Sequence, residues 1–200
     1  AKINNDGSTG TFATTTALPG TLTKTSAVYV NGYVYAVGGN NGSAVSTVYY
    51  SKTNADGTLG SWLTNTNALP AVLSQPAAFA YNGYMFVVGG SDGTNAVATV
   101  YSAKIYANGS IGSWTNLTGT PLPANRLGSG VAVANGYVYI LGGKTTEAST
   151  TGQSSVYYAK INNDGTIGAW TTSGSSLNLG RHSLRAGVAN GYLYAFAGRA

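Results

Sequence analysis

Hydrophobic residues along this chain recur with a period of two, in segments of about five residues that end in glycine. Four segments share one pattern, Asn-Gly-Tyr followed by alternating apolar positions: NGYVYAVGG (31–39), NGYMFVVGG (82–90), NGYVYILGG (135–143) and NGYLYAFAG (190–198). A period of two predicts β-strands, and Asn-Gly supplies the positive-φ residues of a two-residue hairpin turn. Each segment therefore predicts the second strand of a hairpin whose first strand precedes Asn-Gly.

Two further patterns accompany each hairpin. A turn leads through glycine to an aromatic residue in INNDGSTGTF (3–12), TNADGTLGSW (53–62), IYANGSIGSW (105–114) and INNDGTIGAW (161–170). Leu-Pro, or Leu-Asn in the last copy, then occurs at 18–19, 69–70, 122–123 and 177–178. Because the order is constant, the chain is interpreted as one domain, 1–200, with repeats of about 1–51, 52–102, 103–158 and 159–200.

Each repeat predicts four short strands joined by short connections. The first strand is small and apolar, as at 26–30 and 130–134, which suits crowding near a central axis. The second follows Asn-Gly, the third lies near 155–161 in the third copy, and the fourth carries the aromatic residue. A repeated four-stranded antiparallel meander is the blade of a β-propeller. The predicted fold class is all-β, a propeller with four repeats in this chain.

Where Gly-Gly, a later tyrosine, the tryptophan and Leu-Pro align, the chain resembles the kelch repeat family over essentially its whole length. The residues that carry the resemblance are Gly38, Gly39, Tyr49 and Trp62; Gly89, Gly90, Tyr101 and Trp114; and Gly142, Gly143, Tyr157 and Trp170. Arg126 and Arg181 stand where kelch repeats often carry an arginine, whereas Lys24 and Gln75 lie nearby in the earlier copies. The resemblance implies a propeller, commonly of about six or seven blades, and leaves function open because such repeats serve many roles.

The two ends of the chain predict complementary parts of one blade. Residues 1–3 and 9–13 match third and fourth strands, while 192–197 matches a second strand. Pairing them would complete a composite blade and protect its edge. Three arrangements stay open: a four-bladed ring from a monomer, an eight-bladed ring from a homodimer, or part of a longer repeat protein.

Charge is sparse, at 8% of residues, with a formal net charge of +5. Lys2, Lys52, Lys104 and Lys160 occupy one repeat position, so a ring would spread them around its perimeter and no nucleic-acid partner is expected. The polar surface of Ser, Thr, Asn, Gly and Tyr favours an extracellular or cell-surface location in bacteria. There is no cysteine, no leader pattern is visible, and no apolar run reaches the roughly 20 residues of a membrane span, so membrane insertion is not expected.

Groups able to perform chemistry are few. Asp6, Asp56 and Asp164 share a turn position that favours aspartate, so they predict no paired-carboxylate site. Asp92 and Glu147 lie in variable loops, where they are either solvated charges or part of a site. No metal or cofactor site is expected, because His182 is the only histidine.

Arg181, His182 and Arg185 form the most polar stretch. It suits an anionic ligand or a carbohydrate, or else its arginines hydrogen-bond to the blades. The paired aromatic residues of the second strands predict packing between blades, with sugar stacking as the alternative.

These observations favour a non-catalytic binding, adhesion or protein-interaction module rather than an enzyme. Ligand contact, with a protein or a glycan, is expected from the loops 40–46, 91–96 and 144–153. The candidate ligand-binding residues are Arg126, Arg181, His182, Arg185, Asp92 and Glu147. The alternatives are a structural or engineered scaffold without a ligand, and a lectin-like propeller.

Overall fold

A computed structural model describes residues 1–200 and contains 14 β-strands and no helix. The strands are β1 (Ser26–Val30), β2 (Tyr33–Val37), β3 (Val48–Lys52), β4 (Leu63–Thr64), β5 (Ala77–Tyr81), β6 (Tyr84–Val88), β7 (Val100–Lys104), β8 (Thr115–Asn116), β9 (Gly130–Ala134), β10 (Tyr137–Leu141), β11 (Val156–Lys160), β12 (Thr171–Thr172), β13 (Arg185–Ala189) and β14 (Tyr192–Phe196). They form three antiparallel four-stranded sheets in chain order, blades 1 to 3, and a two-stranded sheet, β13–β14, here called blade 4. The all-β propeller prediction is confirmed. The structure offers no helix with the length and apolarity that a membrane crossing requires.

The Asn-Gly turns form the predicted hairpins in all four blades. Asn31 has a φ of 52° and Gly32 a φ of 77°, and the other three pairs have nearly the same values. These left-handed dihedrals match the twist of the flanking strands, and asparagine and glycine tolerate them best. The register is regular, since Val30 pairs with Tyr33 and Ser26 with Val37 across the first hairpin. The fourth strands are shorter than predicted, with two residues each, and begin just after the tryptophan.

The first strands β1, β5, β9 and β13 line a central channel of about 670 Å³. A chain of backbone hydrogen bonds joins the blades at its mouth. Gln75 N–H donates to the Lys24 carbonyl (2.8 Å), Gly128 N–H to the Gln75 carbonyl (3.0 Å) and Ser183 N–H to the Gly128 carbonyl (2.6 Å). All four residues have φ between 51° and 64°. The repeat thus places one left-handed residue per blade at the axis, where its backbone contacts the next blade.

The apolar core lies between the blades. One cluster of 13 buried residues joins blades 1 and 2, a second of 13 joins blades 2 and 3, and three residues, Leu141, Val156 and Leu184, join blades 3 and 4. Each tryptophan adds a hydrogen bond, because its indole N–H donates to the linker that precedes its own blade. The acceptors are the carbonyls of Thr16 for Trp62 (2.9 Å), Asn67 for Trp114 (3.1 Å) and Thr120 for Trp170 (3.1 Å).

The predicted composite blade is not formed within a single chain. β14 pairs only with β13, and residues 1–13 contribute a single bridge, Ile3 with Thr9. Thr15 and Thr16 hydrogen-bond to Leu59 and hold this segment beside blade 1. The blade number of an assembled ring therefore stays a prediction.

Candidate functional site

The blades have two distinct ends. The start of β1 lies beside the end of β2, so the linker into each blade and the loop after its second strand share one end, here called the loop face. The tight hairpins share the other end, here called the hairpin face, where Thr53 N–H donates to the Gly32 carbonyl. The channel mouth lined by Lys24, Gln75, Gly128 and Ser183 opens on the loop face.

Charge is unevenly divided between the two faces. The loop face carries six of the ten cationic residues: Lys24, Arg126, Lys144, Arg181, Arg185 and Arg199. Its only acids are Asp92 and Glu147, which leaves an excess of four positive charges. The hairpin face carries the four repeated lysines and three aspartates. Almost all of the net charge of +5 therefore belongs to the face on which the channel opens.

Glu147 lies at the centre of these charges. It sits in the loop that follows β10 of blade 3, and its Oε2 is 3.5 Å from Lys24 Nζ in the linker into blade 1. Oε1 accepts a hydrogen bond from Ser74 Oγ (3.1 Å), and Oε2 accepts a longer one from Gln75 Nε2 (3.5 Å), both in the linker into blade 2. Lys144 Nζ lies 3.8 Å from Oε2. One loop side chain thus reaches two other blades, and we call Lys24, Ser74, Gln75 and Lys144 the mouth cluster.

The electrostatics favour an ionised Glu147. Partial burial acts to raise the pKa of its carboxyl, but Lys24, the Ser74 and Ser91 hydroxyls and Lys144 favour the charged form and leave the pKa below its ordinary value. Lys144 is itself buried, with 10% of its side chain exposed, and Glu147 supplies both its carboxylate partner and a carbonyl acceptor. A buried ammonium needs such a partner, so the two residues depend on each other.

His182 lies next to this cluster and is buried. Its backbone forms a bridge with Arg199, and its Nδ1 is 3.1 Å from Ser183 Oγ. Burial, followed by the positive charges of Lys144 and Arg199, lowers the pKa of the imidazole. The neutral ring is therefore favoured on a face that is already cationic.

The two arginines in the linkers into blades 3 and 4 have structural contacts. Arg126 is buried, donates to Ser155 Oγ and Tyr157 Oη (both 2.8 Å), and its guanidinium carbon lies 5.1 Å from the centre of the Tyr157 ring. Its backbone carbonyl accepts a hydrogen bond from Gly90 of blade 2 (2.8 Å). Arg181 donates to the Ala197 carbonyl, and its own carbonyl accepts from Gly143. Both residues therefore join neighbouring blades. Arg181 is partly exposed, whereas Arg126 is buried.

Asp92 and Arg185 occupy different environments on the loop face. Asp92 Oδ1 accepts the backbone N–H groups of Thr94 (2.9 Å) and Asn95 (2.7 Å), so it shapes its own loop, and these bonds lower the pKa of the carboxyl. That loop touches the Glu147 loop through a bridge between Asn95 and Thr146. Arg185 is exposed and lines the channel.

The predicted ligand-binding residues are therefore not one cluster. The structure brings Glu147 to the channel mouth, places Arg185 in the channel, buries His182 beside Arg199, and gives Arg126 and Asp92 local partners. Sequence reasoning missed Lys24, Ser74, Gln75 and Lys144 as neighbours of Glu147. The available signal was that Lys24 and Lys144 are the only lysines outside the repeated lysine position.

The aspartates at the shared turn position have local partners, as their sequence context suggests. Asp56 Oδ1 accepts from the Thr58 hydroxyl (2.7 Å) and from the Thr58 N–H (3.0 Å), which lowers the pKa of the carboxyl. Asp6 and Asp164 do the same with Ser8 and Thr166. No group of three or more histidine, cysteine, aspartate or glutamate side chains lies in position to hold a metal ion.

Comparison with known proteins supports the fold. No family model matches the chain, and no curated protein sequence matches it. Among solved structures, the one described as "Structure of YjhT" aligns with a TM-score of 0.68 and 15% sequence identity. The alignment covers 90% of this chain and 60% of YjhT, so the chain spans less than two thirds of that protein's length. At this identity the likeness shows the propeller fold alone.

Proposed function

We propose that this protein is a non-catalytic, kelch-like binding module, of a secreted or surface protein, that holds an anionic ligand at the channel mouth on its loop face. The observation that carries the proposal is the excess of four positive charges on this face, in a chain with few charges overall. A cationic, concave site raises the local concentration of anions and speeds their association.

The fold supports this role because the packed blades form a rigid scaffold and the loops between their strands are exposed on it. Blades joined through buried cores and backbone hydrogen bonds present the loops after β2, β6 and β10 at defined positions. Loops on a rigid scaffold are where binding residues concentrate. Lys24 and Arg185 are the exposed cations of the channel lining, and a ligand entering the mouth would meet them.

The test is a binding screen with acidic oligosaccharides, acidic peptides and neutral oligosaccharides as separate arms. We expect an acidic ligand to bind, with affinity that falls as salt is raised. The double variant K24A/R185A should weaken that binding at least tenfold. The matched control is K52A/K160A, which removes the same charge from the hairpin face and should leave affinity within twofold. Equal losses in the two variants, or binding by neutral ligands alone, would contradict the proposal. No binding in any arm would favour a structural scaffold instead.

A further inference from the structure

The mouth cluster already holds a carboxylate, that of Glu147. The side chain comes from blade 3, and its acceptors are filled by donors from blades 1 and 2 as well as by Lys144 of its own blade. We propose that the mouth cluster is a carboxylate-binding site and that Glu147 is a built-in competitor, which the carboxylate of a ligand displaces. The inference rests on the proposed function and specifies the chemical group that is recognised.

The donors of the mouth cluster match a carboxylate in number and arrangement. One oxygen of Glu147 accepts from Ser74, and the other faces Lys24, Gln75 and Lys144. Two ammonium groups and the neutral donors of Ser74 and Gln75 serve the two oxygens, and the Ser91 hydroxyl also favours the ionised carboxyl.

Three residues of the mouth cluster, Ser74, Gln75 and Lys144, are held by the fold rather than by exposed side-chain contacts. Ser74 is 1% exposed, and its backbone is fixed by hydrogen bonds in both directions with Ser91. Gln75 is one of the left-handed residues that join the blades at the axis. Lys144 is buried and bonded through its backbone to Leu127. A ligand carboxylate would therefore meet two donors, Ser74 and Gln75, whose positions do not depend on the Glu147 loop.

Glu147 itself is held loosely. Three of its four contacts with the mouth cluster are 3.5 Å or longer, beyond the usual range for charge-assisted hydrogen bonds, and only the Ser74 contact is shorter. Residues 145 and 146 beside it are exposed, and the bridge between Thr146 and Asn95 is the one strand-like contact of this loop with blade 2. A carboxylate with freer geometry can therefore replace Glu147 while Ser74 and Gln75 stay in place.

Chemical rescue tests this directly on the full chain. The variant Glu147→Ala leaves Lys24 and Lys144 without their anion, so it should lose thermal stability at low salt. Sodium acetate should restore that stability in a saturable way, while sodium chloride at the same ionic strength should not. In NMR titrations, acetate should shift the backbone amides of Ser74, Gln75 and Lys144 in Glu147→Ala, at concentrations at least tenfold below those needed with the unsubstituted protein.

The matched control is Asp92→Ala, which removes the other loop-face acid, one that accepts only backbone hydrogen bonds of its own loop. Acetate should not stabilise it selectively. If Glu147→Ala does not fold, Glu147→Gln serves instead, and it should bind acetate more tightly than the unsubstituted protein. Equal rescue by chloride, equal rescue of Asp92→Ala, or no acetate effect overturns the inference. If acidic oligosaccharides still bind through Lys24 and Arg185 in that case, the proposed function stands and the carboxylate assignment alone fails.

Discussion

Tyr35 carries the most direct test of how the blades are joined. The residue lies in β2 of blade 1 and is fully buried. Its hydroxyl donates a 2.8 Å hydrogen bond to the carbonyl of Gly109, in the hairpin between β7 and β8 of blade 2. Gly109 is also buried, and its carbonyl accepts no other hydrogen bond. The variant Tyr35→Phe removes the donor and leaves a buried carbonyl unpaired.

The expected cost follows from that geometry. An unsatisfied buried acceptor costs about 1–3 kcal/mol, so Tyr35→Phe should lower the free energy of unfolding by that amount. Each kcal/mol corresponds to a fall in Tm of about 2–4 °C in a chain of this size. A phenylalanine ring fits the site, because Phe86 occupies the equivalent position of blade 2 and is fully buried. The loss should therefore report the hydrogen bond rather than misfit of the ring.

Urea unfolding and calorimetry would measure the change, with Phe86→Tyr as the reciprocal variant. Its new hydroxyl would face Gly165, the counterpart of Gly109. The Gly165 carbonyl accepts no hydrogen bond, so we expect unchanged or slightly raised stability. A change below about 0.5 kcal/mol in Tyr35→Phe would refute the reasoning, because even a modest net hydrogen bond is worth that much.

The pH dependence of stability provides a second readout at Tyr35. Burial, followed by the nearby Tyr33 and Tyr50, raises the pKa of its phenol from 10.0 to about 12. Between these values the unfolded chain releases a proton that the folded protein retains. The contribution of Tyr35 is therefore complete below pH 10 and is lost as the pH rises through 12. Tyr35→Phe should lack this part of the alkaline loss of stability.

Three further variants test other contacts. Gly109→Ala would place a Cβ 2.5 Å from the Tyr33 ring, whereas the Cβ of Gly57→Ala, at the same turn position and with a similar φ, meets nothing within 4 Å. Urea unfolding should therefore show an extra loss of stability of about 1–3 kcal/mol in Gly109→Ala. Equal losses in the two variants would argue against blade contact at this hairpin. Trp114→Phe removes the hydrogen bond from the indole to the preceding linker and should lower the free energy of unfolding by about 0.5–1.5 kcal/mol, measured as a fall in Tm. An unchanged Tm would show that this hydrogen bond adds nothing to stability. Burial, Lys144 and Arg199 lower the pKa of His182 below 6.5, so the stability of the protein should decline as the pH falls from 6.5 through the folded-state pKa. His182→Gln should reduce the dependence of the urea midpoint on pH between pH 5 and 7. An unchanged dependence in this variant would contradict the lowered pKa.

The repeated residues predicted the fold because their effects are local. Asn31-Gly32 forms its turn from backbone preference alone, and the alternation in 33–37 matches β2. The neighbours of Glu147 could not be predicted in this way, because they come from positions 24, 74, 75 and 144 and meet only after three blades have packed. The composite blade does not form within a single chain for a related reason: sequence complementarity between the chain ends does not show where Thr15 and Thr16 hold the first segment.

The left-handed residues at the axis have an evolutionary consequence. The chain places Lys24, Gln75, Gly128 and Ser183 at these equivalent positions, and the hydrogen bonds that run from blade to blade along the axis use only their backbone atoms. Four unlike side chains are thus accepted at the rim of the channel without altering this series of backbone hydrogen bonds. A substitution at these positions would change the side chains at the channel rim while leaving the backbone hydrogen bonds between blades intact. Such an architecture lets the chemistry of the rim diversify one unit at a time.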